Sequence, residues 1–217
     1  MKPTSISRKL SSAAAAFSTC LTMAMLGGQV QAGNTWDGGD VDDDLWSSAA
    51  NWDSDTLPGW GTLTFTGSTR TTNTVDANTS MNMLLWTGTE AWTLNNSGGA
   101  VVSLYDNGGA AAKIENQSTG LVTINAPITF AATSGSAWGE INAVNGNLTF
   151  GSGTLTVNGP VVAGIKMFSA GKAVSFNSTL SASGKWFATT GASGMTVNIG
   201  GAATTGVGGR TGMSAEG

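Results

Sequence analysis

From Thr62 onward, apolar and polar residues alternate with a period of two. The stretch "GTLTFTG" places Leu63 and Phe65 on one side of an extended segment and Thr62, Thr64 and Thr66 on the other. The same alternation runs through Trp92 and Leu94, Val122 and Ile124, Ile128 and Phe130, Leu148 and Phe150, Leu155 and Val157, Val174 and Phe176, and Val197 and Ile199. Successive side chains of a pleated strand point to opposite sides, so this pattern predicts half-buried strands, each of about four to six residues. After residue 32 no window holds the i, i+3, i+4, i+7 spacing of an amphipathic helix. Between the strands lie "NNSGG", "DNGG", "QSTG", "SGS", "NGN" and "GSG", turn clusters predicted to use positive φ.

The strands also echo one another. "GLVTINAPI" (Gly120 to Ile128) and "GTLTVNGPV" (Gly153 to Val161) share Gly, Thr, Asn and Pro at matching positions, with looser echoes around Asn177 and Asn198. Asn158, Asn177 and Asn198 are separated by 19 and 21 residues. A period near twenty reads as one coil of a parallel β-solenoid. In such a coil each strand pairs with its equivalent about 4.8 Å along the axis, apolar residues stack inside, and threonine and asparagine ladder outside or at corners. The expected fold class is therefore all-β, a parallel β-helix or β-solenoid, with an antiparallel β-sandwich as the alternative.

The first 32 residues read as a removable leader. Lys2, Arg8 and Lys9 form a basic segment, Ala13 to Leu26 is an apolar run, and Val30 and Ala32 are the small residues before a cut at Gly33. The expectation is export through the Sec pathway to the extracellular space or cell surface. Cys20, the single cysteine, falls inside the leader, so residues 33–217 can form neither a disulfide nor a thiolate metal site. Those residues carry six basic against thirteen acidic side chains, a net charge of −7, and no histidine. Nucleic acid is a poor partner for so acidic a chain, and the commonest general base and metal ligand is missing. No membrane-spanning segment and no cofactor are expected.

The densest chemistry lies in "WDGGDVDDDLWSSAANW", Trp36 to Trp52, with five aspartates and three tryptophans. Asp40, Asp42 and Asp44 have the i, i+2, i+4 spacing that opens a calcium loop. Leu45 and Asn51 stand where such a loop needs its glycine and its bidentate glutamate. A solvated acidic turn, with aspartates capping local N–H groups, is the favoured reading. Trp36, Trp46, Trp52 and Trp60 could stack on sugar rings, or they could plug the first coil, whose core and strand edges would otherwise be open. The plug is favoured, with "NW" and Leu57-Pro58-Gly59 as the turn that feeds the first strand. Catalysis has little to stand on. The acids beyond Asp55 are Asp76, Glu90, Asp106, Glu115, Glu140 and Glu216, scattered along the chain, and no residue is placed to activate a serine.

The entrance "TWDGG…LWSSAANWDSDTLPGWGTLTFTG" and units such as "GTLTVNGPV" make the chain resemble bacterial proteins with the autotransporter-associated β-strand repeat. The resemblance spans Gly33 to about Gly201. It implies an exported, right-handed parallel β-helix passenger that begins with a Trp-rich segment. Such proteins usually end in a membrane barrel or sorting anchor. Here "GGRTGMSAEG" closes the sequence instead, which suggests a truncated product and end-to-end association of an uncapped last coil.

The expected organisation is a signal peptide at 1–32, an entrance and cap at 33–60, solenoid repeats at 61–201 and a Gly-rich tail at 202–217. The expected function is non-catalytic: a structural or adhesive rod that meets an extracellular polysaccharide or cell-surface polymer. A carbohydrate-binding module built on the tryptophans is the alternative, followed by a polysaccharide lyase-like β-helix.

Overall fold

The computed structural model describes residues 34–107, 110–131, 138–158, 164–169, 171–182, 186–190, 195–200 and 215–216. The expected leader lies outside the described residues, as does the expected tail apart from Ala215–Glu216.

β1 (Thr35–Trp36) precedes a series of three-strand coils. The first coil is β2 (Thr62–Phe65), β3 (Thr72–Val75) and β4 (Thr79–Met81). The second is β5 (Met83–Trp86), β6 (Trp92–Asn96) and β7 (Val102–Tyr105). The third is β8 (Lys113–Asn116), β9 (Val122–Ile124) and β10 (Ile128–Ala131). The fourth is β11 (Gly139–Ala143), β12 (Leu148–Phe150) and β13 (Leu155–Asn158). The fifth is β14 (Gly164–Ser169), β15 (Ala173–Phe176) and β16 (Leu180–Ser181), followed by β17 (Trp186–Thr190), β18 (Thr196–Ile199) and β19 (Ala215–Glu216).

Three sheets run along the stack. Face A is β1-β2-β5-β8-β11-β14-β17-β19, face B is β3-β6-β9-β12-β15-β18, and face C is β4-β7-β10-β13-β16. Adjacent strands on all three faces pair in parallel. The molecule is a β-solenoid of about five coils, and the sandwich alternative is excluded by this pairing. Among the described residues no helix is long and apolar enough to cross a membrane.

The alternation in the sequence becomes inside and outside. On face A, Leu63, Leu84, Ile114, Ile141 and Met167 stack in one buried column. Trp92, Val122, Leu148 and Val174 do the same on face B, and Val102, Ile128 and Leu155 on face C. Each fully buried side chain of this size contributes about 1.5–3 kcal/mol. Aromatic rings stack between coils as well. Phe65 lies over Trp86 at 5.1 Å and 16°, and Phe150 over Phe176 at 5.0 Å and 8°.

The repeat length differs from the expected twenty. Along face A, Thr62, Met83, Lys113, Glu140, Lys166 and Ala188 stand in line, with steps of 21, 30, 27, 26 and 22 residues. The two echoing stretches occupy different faces: Gly120 to Ile128 contains β9 of face B, whereas Gly153 to Val161 contains β13 of face C. Faces B and C demand the same strand, apolar inward and hydroxyl outward. Likeness between two segments therefore reports that shared environment and not one full turn of the coil.

The turn glycines also have two distinct roles. Gly98 and Gly99 adopt φ of +63° and +75°, as "NNSGG" suggested. Gly120 and Gly146 sit elsewhere in φ and matter for closeness: a Cβ on Gly146 would overlap the Gly120 carbonyl, and one on Gly120 would overlap that of Glu90. Successive coils approach at this corner backbone to backbone, which only glycine permits. Asn116, wholly buried, reinforces the same corner by donating from Nδ2 to the carbonyls of Gly120 and Asn147, each at 3.0 Å.

Candidate functional site

Three of the four entrance tryptophans are interior. Trp36 and Trp52 have no exposed surface and Trp46 has 3%. Trp36 and Trp46 meet Trp52 edge to face at 5.2 and 5.7 Å, and all three pack on Phe65, the last residue of β2. Each indole N–H is satisfied: Trp36 donates to the Arg70 carbonyl, Trp46 to Asn73 Oδ1, and Trp52 to the Trp46 carbonyl. No ring face of these three is left for a sugar. Trp60 is different. It is half exposed, outside this cluster, and tilted against Tyr105 of β7 at 6.0 Å.

The organising residue of the entrance is Asn51, which sequence reading placed in a turn and at the unfilled glutamate position of a calcium loop. It is completely buried. Its Oδ1 accepts from the Asp40 N–H, and its Nδ2 donates to Asp43 Oδ1 at 3.1 Å and to the Leu45 carbonyl at 3.1 Å. Its own carbonyl accepts from the N–H groups of Asp37 and Gly38. One amide thus closes the acidic loop onto the tryptophan cluster. The available signal was an asparagine directly before a core tryptophan, in a segment rich in backbone turns.

The aspartates act within this loop. Asp37 Oδ1 accepts from Gly39 N–H, Asp40 Oδ1 from Asp42 N–H, Asp43 Oδ1 from Leu45 N–H, and Asp53 Oδ1 from Thr35 N–H. Asp40 also receives the Ser48 hydroxyl, which together with the Asp42 N–H holds its carboxyl below the ordinary value of 3.8. Asp76 receives both the N–H and the hydroxyl of Ser47, fastening the loop to the turn after β3. Asp40, Asp42 and Asp44 do not converge: among the described residues no three acidic, histidine or cysteine side chains form a metal-sized cluster.

Along face A, the acids are less scattered than the sequence suggests. Lys113 lies opposite Glu140 and its ammonium reaches both Glu140 Oε2 at 3.2 Å and Glu115 Oε2 at 3.7 Å. Glu115 also accepts from Asn142 Nδ2 at 3.0 Å and from Gln117. One coil further, Lys166 sits over the Trp138 ring at 5.2 Å. Every charge named in this strip is thus matched by a neighbour on the same or an adjacent coil.

Faces B and C carry a different surface. Pairing aligns Thr72, Thr93, Thr123, Thr149 and Ser175 in one outward column of face B. Ser80, Ser103, Thr129, Thr156 and Ser181 form the equivalent column of face C. Each coil therefore adds one hydroxyl to each face at the strand spacing of about 4.8 Å. Compared with protein-family models, curated proteins and solved structures, the chain matches none.

Proposed function

We propose that this chain is an exported, non-catalytic β-solenoid of the autotransporter-associated β-strand repeat type, acting as a structural or adhesive rod at or beyond the cell surface. The observation that carries the reading is the pair of uncharged hydroxyl columns on faces B and C, in register over five coils. A continuous backbone ladder makes such a rod stiff. A regular neutral face then gives many individually weak contacts to a polymer lying along it, and their sum is strong through multivalency. The leader expected at 1–32 supports export, and the absence of histidine supports a role without acid–base chemistry. Glu115 and Glu140, the acids that come nearest to a catalytic pair, are held by Lys113, Asn142 and Gln117 rather than aimed at an open site.

Two measurements test this. Mass spectrometry of the protein recovered from the exterior of producing cells should find Gly33 as the new N-terminus. The same protein should be retained on an insoluble extracellular polysaccharide without releasing reducing or unsaturated sugars from it. Retention in the cytoplasm, or steady release of product, would overturn the reading.

A further inference from the structure

We propose that the corner between faces B and C, over the second to fourth coils, is a binding cleft for a neutral, hydroxyl-rich oligosaccharide. This rests on the adhesive reading and names the chemistry of the polymer it requires. The cleft has a volume of about 560 Å³ and is lined by Asn95, Asn96, Asn125, Pro127, Ser152, Gly153 and Thr154. That volume falls within the roughly 300–1,000 Å³ usual for small-ligand sites.

The cleft is built, not left over. Leu94 of β6 pairs with Ile124 of β9, so Asn95 and Asn125 fall in line one coil apart. Asn125 Nδ2 donates to Asn95 Oδ1 at 3.0 Å, and Ser152 N–H donates to Asn125 Oδ1 at 3.3 Å. The position above Asn125 is Gly151, where a Cβ would overlap Asn125 Oδ1. The missing side chain makes room for the Asn125 amide, whose orientation is set by its bonds to Asn95 and Ser152. Gly153 is bare for a related reason, since a Cβ there would overlap the Ala126 carbonyl. The floor is therefore peptide backbone. The amide of Asn96 donates to the carbonyls of Ala100 and Val75.

These features select the ligand. An amide has two N–H donors and two acceptor positions on its oxygen, and the bonds above use only part of those on Asn95 and Asn125. Their orientation is set before any ligand arrives, which lowers the entropy lost on binding. None of the lining residues is ionisable, in a chain whose residues 33–217 have a net charge of −7. Phosphates and carboxylates find no cation there, and metal ions find no carboxylate. Pro127 gives an apolar ring edge for the C–H face of a sugar. The hydroxyls of Thr123 and Thr149, aligned on the same two coils, extend the same neutral surface sideways onto face B.

The test is calorimetric titration of the protein with neutral hexasaccharides of β-1,4-glucan, β-1,3-glucan, β-1,4-xylan and α-1,4-glucan, with oligogalacturonate as the charged control. At least one neutral chain should bind and oligogalacturonate should not. Asn125→Asp removes the donors and introduces charge, and should weaken binding about tenfold or more, the effect of losing one buried hydrogen bond. Ser152→Arg fills the rim from an exposed side chain and should do the same, which keeps the test decisive if Asn125→Asp disturbs folding in a thermal melt. No binding by any neutral chain, or binding that both variants leave unchanged, overturns the cleft. Retention on insoluble polysaccharide that survives both variants overturns the cleft while leaving adhesion standing. No retention of the unaltered protein overturns adhesion, and together with no calorimetric binding of any neutral chain it overturns the cleft as well.

Discussion

Trp52 donates its indole N–H to the carbonyl of Trp46 at 2.9 Å, while the two rings meet edge to face at 5.7 Å. Hydrogen bond and ring contact reinforce each other, because both fix Trp52 between the entrance loop and Phe65. Trp52→Ala should therefore cost about 3–5 kcal/mol, as truncation of large buried aromatics does. Trp60→Ala, at a half-exposed ring, should stay within about 1 kcal/mol. Urea unfolding midpoints followed by far-UV circular dichroism check both; equal losses would mean the cluster is not what holds the first coil.

Asn51 replaced by alanine leaves the Asp40 N–H and the Leu45 carbonyl without their side-chain partner. Stranded polar groups of this kind cost about 1–3 kcal/mol. Hydrogen exchange should reveal the loss locally, with faster exchange at Asp37 and Gly38, whose N–H groups bond the same residue's backbone. Unchanged exchange at these amides would show that the loop is held by other contacts.

Asp40 supplies a pH dependence of known sign. The Ser48 hydroxyl, then the Asp42 N–H, depress its folded value below the ordinary 3.8. A depressed carboxyl contributes stability that is present above 3.8 and lost as pH falls through the folded value. Ser48→Ala removes the largest cause. The variant should melt below the unaltered protein near neutrality, and the gap should close as the pH drops below 3.8. Melting curves between about pH 6 and about pH 2.5 decide it, and a gap that widens in acid would contradict the assignment.

Gly146→Ala should be among the costlier single-methyl additions in the chain. The new Cβ would overlap the carbonyls of both Gly120 and Ser118, and backbone cannot swing aside as a side chain can. A loss of about 1–3 kcal/mol is expected from such overpacking. The comparison is Ala100, buried and already alanine, where Ala100→Gly should cost about 1 kcal/mol or less. A melt of Gly146→Ala within a degree of the unaltered protein would show that the coils have slack at this corner.

The stretches singled out in the sequence are strands, and Leu63 and Phe65, Val122 and Ile124, and Leu148 and Phe150, placed inward, are all buried, whereas Val197 is only partly so. That much was legible because the period of two is a local property of a pleated backbone, visible in any five residues. Many strands were not singled out, among them Thr72–Val75, Thr79–Met81, Met83–Trp86, Val102–Tyr105, Lys113–Asn116, Gly139–Ala143 and Gly164–Ser169: "TNTV", "TSM" and "KIEN" offer a single apolar residue each, and "MLLW" is apolar on both sides, so the alternation is not marked. The acidic loop was legible as a set of backbone caps, because aspartate reaches only its own neighbourhood.

Sequence alone thus determined an all-β chain and the inward residues of the strands it marked, and it favoured a parallel coil over a sandwich. The tertiary structure decided which strand lies above which, with steps of 21 to 30 residues that no regular repeat announces. It also decided that Trp36, Trp46 and Trp52 turn inward while Trp60 does not, that Lys113 gathers Glu115 and Glu140, and that Asn95 meets Asn125 across 30 residues. The physical reason is the same in each case. Alternation is fixed by covalent geometry within a strand, whereas the identity of the neighbour one coil away depends on how much chain the intervening corners consume.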